Sequence, residues 1–511
     1  MLRNAELGRV VPSDKYVAEL PKLRDRLLRA HFALRGQKFP VIVIVSGADG
    51  AGKGDLVHRL NEWLDPRGVE THAFWQPSDE ERERPPYWRF WRALPGRGRI
   101  GIFFGSWYTA AIVGRVRGEL RRSQFDRAID GIVAFEQMLA ADGALIVKLW
   151  LHLPKREQKK RLKKLDEEGR IAPDDWKNFK LYGKFAKVSE RALRRTHTDL
   201  IPWHVVEATD RRYRELTVGK ILFDALQVRL KQAAAQAAAK AAAKAAPAPA
   251  AVSAPAAPVT AVPAKAPAPP APAKADSILD HVDLTQSLTK AEYEKSLATL
   301  QSRLSKLAWA AHDKQRSMVL VFEGWDAAGK GSAIRRVTQA IDPRLYAVVG
   351  IAAPTDEERA QHYLWRFWRH LPRAGFITFF DRSWYGRVLV ERVEGFAPPG
   401  DWHRAYGEIN DFEEQLTAHD IVVNKFWVHI SPQEQLRRFK ERQTVAYKQY
   451  KITDEDWRNR EKWDAYQLAV DNMVARCSTE FAPWTLVAGN DKKFARVQIL
   501  RTVVRSLEAA L

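Results

Sequence analysis

Cysteine is nearly absent from this chain of 511 residues, which contains only Cys477. A single thiol excludes an internal disulfide and a metal site built from several cysteines. Long apolar runs are also lacking, because no stretch approaches the ~18 uncharged residues of a membrane-spanning helix. The first residues, MLRNAELGRVVPSDKY, contain no apolar signal core. We therefore expect a cytoplasmic protein without a membrane partner.

Acidic residues are in short supply relative to basic ones. The 62 Asp and Glu against 83 Lys and Arg give a formal net charge of +21 and a pI near 9.9. A field of that sign attracts polyanions, which leaves nucleic acid, an acidic membrane surface and a polyphosphate-type substrate open on this ground. The length is sufficient for two or three domains.

A glycine-rich stretch, FEGWDAAGKGS, occupies positions 322–332. It follows the apolar run 318–321 and opens into a segment with helical periodicity, so strand, turn and helix succeed one another as in a phosphate-binding loop. Glycines let backbone N–H groups turn toward an anion, and the lysine adds a full positive charge. The predicted phosphate-binding residues of this loop are Gly324, Gly329, Lys330 and Gly331.

The loop departs from the general pattern at one position. The residue after the lysine is Gly331, where a Ser or Thr hydroxyl normally holds Mg²⁺. A carboxylate lies inside the loop instead, at Asp326. Taken alone, the motif leaves open a chance glycine turn between a strand and a helix.

The first half of the chain repeats the motif as SGADGAGKGD. The offset is 277 positions, so that Lys53 corresponds to Lys330 and Asp49 to Asp326. The register continues without a gap through a WRFWR segment, an SWY segment and an apolar strand, and it becomes 281 after a four-residue gap between about 162 and 176. The sequence therefore predicts a duplicated unit.

The two repeats are separated by a stretch of biased composition. It reads AAAQAAAKAAAK from Ala233 and becomes rich in Ala and Pro from 247 to 272. Such a composition cannot pack a core and is typical of a tether. We predict a first domain over 1–232, a linker over 233–275 and a second domain over 276–511.

Strands alternate with helices in both repeats. This order predicts an α/β fold in which each domain has a parallel sheet covered by helices on both faces, with ligands at the carboxyl ends of the strands. Capping boxes at Ser78 and Thr355 predict two helix starts. Beyond the two loop strands, the predicted strands are 70–74, 99–104, 144–152 and 203–207, and 347–351, 376–380, 421–430 and 484–488.

A charged segment follows the predicted strand 376–380. Asp381 would stand at the carboxyl end of that strand, where a carboxylate can bind Mg²⁺ or pair with the loop lysine. Arg382 and Arg387 can bind phosphate oxygens in forked pairs. A surface cluster of ion pairs is the alternative interpretation of these three residues.

Two further segments contribute basic candidates. Residues 437–463 are dense in charge, which predicts a basic lid over phosphates, with a solvated helical face as the alternative. Lys448, Lys451 and Arg460 are its candidate phosphate contacts. In the predicted helix 363–369 we expect the tryptophans in the core and Arg366 as a further candidate.

Four ordered motifs resemble the polyphosphate kinase type 2 family: FEGWDAAGKG, YLWRFWRHLP, FFDRSWYGRVLVERV and YKQYKITDEDWRNREKW. The resemblance implies tandem P-loop domains with a thymidylate kinase-like fold and phosphoryl transfer between inorganic polyphosphate and nucleotides, with Mg²⁺ as cofactor. Carried over residue by residue, the implied set is Asp326 and Asp381 as metal and catalytic carboxylates, Lys330 as the loop lysine, Arg382 and Arg387 as phosphate-binding arginines, and Lys448 and Lys451 as lid cations.

The first repeat departs from this pattern. It has Phe104, Gly105 and Ala110 where the second has Asp381, Arg382 and Arg387, and Phe179 stands in the place of Arg460. A domain without these groups cannot hold a metal or neutralise the charge of phosphoryl transfer in the same way. We therefore expect the first domain to be non-catalytic, although Asp49 and Lys53 leave anion binding open.

The resemblance implies transfer of the terminal phosphoryl of polyphosphate to a nucleoside monophosphate, with AMP converted to ADP in the fused two-domain form. Two alternatives are an ATP-dependent nucleotide kinase and a non-enzymatic polyphosphate-binding protein. The expected partners are inorganic polyphosphate and nucleoside mono- or diphosphates, without a specific nucleic acid. Base preference, direction and assembly into a homo-oligomer are left open.

Overall fold

The structure is a computed structural model and describes residues 1–167, 175–245, 276–444 and 454–511. Within these ranges the chain forms two parallel sheets of five strands, in the spatial order β2-β3-β1-β4-β5 and the matching order β7-β8-β6-β9-β10. The strands are β1 Val41–Gly47, β2 Val69–Ala73, β3 Ile100–Phe104, β4 Leu145–His152 and β5 Trp203–Glu207, then β6 Met318–Gly324, β7 Tyr346–Gly350, β8 Ile377–Asp381, β9 Val422–His429 and β10 Trp484–Ala488.

Helices cover both faces of each sheet. In the first domain they are α1 Ser13–Leu34, α2 Lys53–Trp63, α3 Asp79–Arg82, α4 Trp88–Ala93, α5 Trp107–Arg117, α6 Arg122–Ala141, α7 Lys155–Glu167, α8 Asp175–Lys180, α9 Tyr182–Thr196 and α10 Arg211–Ala245. In the second they are α11 Lys290–Asp313, α12 Lys330–Thr338, α13 Asp356–Arg359, α14 Trp365–Trp368, α15 Val390–Val393, α16 Pro399–Ala418, α17 Pro432–Thr444, α18 Asp454–Glu461, α19 Trp463–Cys477 and α20 Lys492–Ala510.

The central strands explain why the sheets are parallel and buried. β1 is made of Val and Ile over its first five positions, all of which are buried, and the first six positions of β6 are buried as well. Strands without an alternating polar face need helices on both sides. The predicted fold class is thus confirmed, and both predicted capping boxes form, at Ser78 and Thr355.

The alanine-rich stretch after the first domain begins as helix. α10 runs on past Ala233 to Ala245 because alanine and lysine are strong helix formers. The first part of the predicted linker therefore continues the last helix of the first domain. Residues 246–275 lie outside the described residues, so the predicted tether and the boundaries 1–232, 233–275 and 276–511 stay predictions.

The two domains meet through equivalent residues. The rings of Trp91 in α4 and Trp368 in α14 stack with centroids 5.6 Å apart and planes 17° apart. Arg84 donates to the Leu371 carbonyl at 3.3 Å, and its counterpart Gln361 donates to the Leu94 carbonyl at 3.2 Å. The two tryptophans are related by the offset of 277, and the same offset exchanges the two hydrogen bonds, because Arg84 corresponds to Gln361 and Leu94 to Leu371. The interface therefore has approximate two-fold symmetry.

Among the helices of the described residues, none combines the length and the apolar composition needed to cross a bilayer.

Candidate active site

The loop of the second domain joins the end of β6 to the start of α12. Gly324 has a φ of +144°, and a Cβ there would lie 2.5 Å from the Val428 carbonyl oxygen of β9. Gly329 has a φ of +114° and precedes the first residue of α12, Lys330. Both positions therefore require glycine, the first also because a neighbouring strand approaches it so closely. The turn places the unpaired N–H groups of the helix start at the carboxyl edge of the sheet.

Lys330 is held against its own loop. Its Nζ donates to the Gly324 carbonyl at 2.7 Å and to the Trp325 carbonyl at 3.2 Å. The ammonium group thus closes the loop from within and does not pair with Asp381 in this structure. Its positive charge remains at the position where a phosphate would meet the loop.

The carboxylate of Asp326 joins three elements at the loop. Asn459 in α18 donates to it at 2.9 Å, and Arg382 lies 3.3 Å away on the segment after β8. Gln435 in α17 donates to the Asp326 backbone carbonyl at 3.2 Å. Loop, strand end and both helices therefore meet at Asp326, three of them through its carboxylate and α17 through its backbone carbonyl.

Asp381 is the last residue of β8, where it pairs with Phe322 of the central strand β6. A Cβ on Gly331 would lie 3.7 Å from Asp381 Oδ2, so the missing side chain at 331 leaves space beside this carboxylate. The next residue, Arg382, has a left-handed φ of +67°. Such a conformation is uncommon for a residue other than glycine and directs the guanidinium toward Asp326.

A groove runs along the loop and brings together six of the predicted residues. Those lining it from the predicted set are Asp326, Gly329, Lys330, Gly331, Asp381 and Arg382. Five further cations also line it, namely Arg335, Arg438, Arg442, Lys492 and Arg496. Three further carboxylates, those of Glu441, Glu455 and Asp456, line it as well. The groove thus carries Asp326 and Asp381 at the loop and, away from it, more cations than carboxylates.

Three predicted basic residues are not among those that line the groove, namely Arg387, Arg366 and Arg460. Arg387 pairs with Glu391 at 3.2 Å and lies over the Tyr363 ring. Arg366 donates to the Ala352 carbonyl at 3.1 Å. Phosphate binding by Arg387 and Arg366 therefore stays a prediction.

Arg460 has a supporting position. Its Nη1 donates to the Pro432 carbonyl at 2.8 Å and to Gln435 Oε1 at 3.0 Å, and Gln435 in turn holds the loop. Lys448 and Lys451, the predicted lid cations, lie outside the described residues.

The sequence-based prediction missed Arg438. This nearly buried guanidinium donates to the carbonyls of Ala327 and Ala328 in the loop, at 3.0 and 2.7 Å, and to those of Gly489 and Asn490 after β10. It thereby fixes the loop to the segment that follows β10. The sequence did contain a signal for this role, because an arginine occurs at this position in both repeats. The first-domain counterpart, Arg161, also binds a loop carbonyl, that of Gly50.

Two stacked tryptophans connect the loop to α19. The rings of Trp325 and Trp463 lie 3.6 Å apart and nearly parallel, at 9°. Trp325 Nε1 donates to His429 Nδ1 at 2.9 Å. Burial lowers the pKa of His429 to about 4, so the ring is neutral near pH 7 and can accept this bond. The first domain has Ala48 and Tyr182 in the places of these tryptophans.

A buried polar network supports the segment that carries Asp381 and Arg382. Lys425 Nζ donates to Tyr385 Oη at 2.8 Å, to Glu413 at 2.5 Å and to the Cys477 carbonyl at 2.6 Å. Trp384 donates to the same Glu413 carboxylate at 3.0 Å. The first domain forms the same network, which explains why SWY is retained there without the adjacent acid and arginine.

The first-domain loop keeps the backbone arrangement. Lys53 Nζ donates to the Gly47 and Ala48 carbonyls at 2.9 and 3.0 Å and lies 3.4 Å from Asp49. β3 ends at Phe104, followed by Gly105 with a φ of +78°. The loop is thus preserved while the facing strand end is apolar.

Comparisons with known proteins agree with this arrangement. A family model described as polyphosphate kinase 2 (PPK2) matches residues 11–234 and 287–511. This chain belongs to the polyphosphate kinase 2 family. Both matched ranges contain one sheet and one loop, so each domain is a copy of the PPK2 unit.

Relatives of similar length share the two-domain arrangement. A polyphosphate:AMP phosphotransferase of Pseudomonas aeruginosa is 52% identical over an alignment of 517 residues, covering 100% of this chain and 99% of the relative. One of Acinetobacter johnsonii is 35% identical, covering 94% and 95%. A solved structure described as a polyphosphate kinase 2 of Pseudomonas aeruginosa PA01 is 50% identical, covers 100% of this chain and 99% of that one, and superposes with a TM-score of 0.86.

Proposed function

We propose that this PPK2 protein transfers the terminal phosphoryl group of inorganic polyphosphate to AMP, forming ADP. The observation that carries the proposal is the second-domain groove, in which a phosphate loop, two carboxylates and a row of cations meet. Full-length relatives at 52% and 35% identity are named polyphosphate:AMP phosphotransferases. The reaction would take place in the cytoplasm, where AMP is available.

Asp326 and Asp381 are the residues that would hold Mg²⁺. The ion commonly binds proteins through one or two carboxylates, taking the remaining ligands from substrate phosphates and water. Of the carboxylates that line the groove, Asp326 in the loop and Asp381 at the facing strand end match that requirement, and the small Gly331 leaves space next to Asp381. When bound, the ion would neutralise charge on the phosphate oxygens during transfer.

The side chains of the groove would act by positioning and by charge. The N-terminal N–H groups of α12 and Lys330 bind the phosphoryl group to be transferred. Arg382 can bind oxygens of the donor or the acceptor, and Arg387 and the lid cations are proposed to screen further charge. The attacking oxygen of AMP belongs to a phosphate that is already ionised near pH 7. Little help from a general base is therefore required, and catalysis rests on in-line orientation.

We further propose that the second domain alone is catalytic. The first domain has an apolar strand end at Phe104 and lacks the arginine that faces the loop aspartate in the second. The strand-end position that holds a carboxylate in the second domain is thus occupied by Phe104 in the first. Its contribution would then be structural, through the interface at Trp91 and Trp368.

The test is a donor and acceptor assay with the purified protein. AMP and polyphosphate are mixed with Mg²⁺ in the absence of ATP, and ADP is measured. We expect ADP to accumulate, and ATP as donor to be much poorer. ADP formed only with ATP would favour the alternative of an ATP-dependent kinase, and polyphosphate binding without any turnover would favour a binding protein.

A further inference from the structure

The two domains differ at the start of the last helix. With the offset of 281, Arg214 in α10 corresponds to Ala495 in α20, and Glu215 corresponds to Arg496. The helix starts are equivalent in space as well as in sequence. Asp210 accepts from the Tyr213 N–H at 2.6 Å, and Asp491 accepts from the Phe494 N–H at 2.6 Å.

In the first domain the Arg214 side chain fills the space beside the phosphate loop. Arg214 is 1% exposed, and its Nη1 donates to the Ala51 carbonyl of the loop at 2.8 Å. A Cβ built on Gly52, the last loop residue before α2, would lie only 1.9 Å from that Nη1. The guanidinium therefore packs directly on the loop glycine.

In the second domain the same space belongs to the groove. A Cβ built on the equivalent Gly329 would have Ser332 Oγ at 3.5 Å and Arg438 Nη1 at 4.0 Å as its nearest neighbours among the described residues. Gly329, Arg438 and Arg496 all line the groove. The methyl group of Ala495 does not reach this space, which stays open to an incoming anion.

The neighbouring position reverses its charge between the domains. Arg496 lies 3.5 Å from Ser332 Oγ, at the start of α12, and so presents a guanidinium to the groove. Its counterpart Glu215 is fully buried, accepts from Tyr16 Oη and lies 3.5 Å from Arg59. A carboxylate at this position repels phosphate and occupies cations that would otherwise attract it.

We propose that Ala495 and Arg496 form the part of the groove that admits the polyphosphate donor, and that Arg214 and Glu215 close the corresponding part of the first domain. The inference rests on the proposed function and identifies the donor side of that site. A polyanion needs both room and positive charge beside the loop. In the second domain the small Ala495 leaves room and Arg496 supplies positive charge. In the first domain Arg214 fills the room and Glu215 replaces the positive charge with a negative one.

The direct test inserts the first-domain residue into the second domain, as Ala495→Arg in the full chain. Binding of inorganic polyphosphate and of AMP is measured in separate titrations. We expect the affinity for polyphosphate to fall at least about tenfold, the loss typical of one charged hydrogen-bonding contact, while AMP affinity stays within about twofold. Equal polyphosphate affinity in Ala495→Arg and wild type, at an unchanged melting temperature, would overturn the inference.

A reciprocal variant changes only the first domain. Its result therefore cannot be explained by unfolding of the second domain by an inserted arginine. Arg214→Ala combined with Glu215→Gln removes the guanidinium and the carboxylate from the first domain and leaves the second untouched. With tripolyphosphate as the probe, calorimetry should count one site per wild-type chain and two per variant chain, with AMP phosphorylation unchanged. One site in both proteins would contradict the closure of the first-domain loop by these residues.

The two proposals fail in different ways. If wild-type protein binds nucleotides but neither polyphosphate nor tripolyphosphate, the proposed function is wrong. If wild type binds and uses polyphosphate while both variants behave like wild type, the proposed function stands and the role of Ala495 and Arg214 is wrong.

Discussion

Backbone strain is concentrated at two residues of the second-domain site. Ala327 and Arg382 have φ values of +61° and +67°, whereas their first-domain counterparts, Gly50 and Gly105, have +72° and +78°. The two domains thus share the same left-handed backbone at these positions. Glycine adopts it without strain in the first domain, whereas an alanine and an arginine adopt it in the second. Strained residues of this kind commonly occur at functional sites, where the surrounding contacts enforce them.

Ala327→Gly should stabilise the protein. A left-handed non-glycine residue costs about 1–2 kcal/mol, and glycine loses about 0.4–1 kcal/mol through the entropy of the unfolded chain, so we expect a net gain of roughly 0.5–1 kcal/mol. The shift is measured as the urea midpoint of the second-domain transition. The matched change Gly50→Ala, where a Cβ has room at 3.6 Å from Leu162, should be destabilising. A lower midpoint for Ala327→Gly would show that the strain is absent.

Asp381→Asn should abolish phosphoryl transfer and preserve the fold. The change removes the charge at the end of β8 without changing the shape of the side chain, and loss of metal charge stabilisation should leave less than about a tenth of the wild-type rate. ADP formation measures the effect, and circular dichroism checks the fold. Because Phe104 stands in the place of Asp381 in the first domain, the control is Asp49→Asn, the carboxylate of the first-domain loop, which should retain activity. Full activity of Asp381→Asn would mean that Asp326 alone holds the metal.

At the scale of elements, the buried lysine networks hold the strand-to-helix segments of both domains in place. Lys425 is fully buried and its ammonium group is shared among Glu413, Tyr385 and a carbonyl. Lys148 has the same contacts with Glu136, Tyr108 and the Thr196 carbonyl. An ion pair in such an environment is costly to break, because the remaining charge stays buried.

Lys425→Met should lower the free energy of unfolding of the second domain by about 3 kcal/mol or more, because Glu413 would lose its buried counter-ion. Turnover should fall as well, since Asp381 and Arg382 lie just before the supported SWY segment. Lys148→Met should cost the first domain a similar amount and spare turnover at temperatures where both domains are folded. Urea unfolding followed by tryptophan fluorescence measures both changes. A loss below about 1 kcal/mol for Lys425→Met would mean that Glu413 is protonated in the folded protein.

Local sequence patterns could predict the elements and much of the site. The ends of the eight predicted strands other than the two loop strands agree with the structure to within one residue, because runs of apolar residues bounded by polar residues define them. The loop strand β6 continues to Gly324, three residues beyond the apolar run 318–321. Asp326, Lys330, Asp381 and Arg382 meet in one groove because parallel strands and their loops end at the same edge. Their chemical roles stay predictions until variants are assayed.

Contacts made across long sequence separations could not be predicted in the same way. Arg496 and Arg438 reach the loop from α20 and α17, and neither belongs to a recognisable motif. The closure of the first-domain loop by Arg214 likewise depends on how α10 packs against α2. Such contacts depend on the orientation of helices, which a hydrophobic pattern does not specify.

The whole molecule combines a strong positive charge with two unequal domains. A formal net charge of +21 favours a polyanionic donor over a small nucleotide. The interface at Trp91 and Trp368 keeps the approximate symmetry of two copies, while the strand-end pair Asp381 and Arg382 is replaced by Phe104 and Gly105 in the first domain. The packing surface is thus retained in both copies and the charge at the strand end in one.

Binding of the donor should weaken steeply with salt. A polyphosphate chain that contacts several cations releases counterions, so its KM should rise at least about tenfold between about 50 and about 200 mM salt, while the KM of AMP changes less. Lys448→Ala and Lys451→Ala should each raise the polyphosphate KM and flatten the slope of log KM against log salt. The measurement is steady-state ADP formation at several salt concentrations. If neither variant alters KM or slope, the predicted lid does not contact the donor.

The most direct test compares the two loop lysines in the full chain. Lys330→Ala and Lys53→Ala remove the same charge from equivalent loops, and the rate of ADP formation from AMP and polyphosphate without ATP is measured for each. We predict that Lys330→Ala loses more than about a hundredfold in turnover, as expected for a charge that stabilises the transition state. Lys53→Ala should stay within about twofold of wild type. Loss of turnover in Lys53→Ala with a folded, active Lys330→Ala would place catalysis in the first domain and contradict the proposed site.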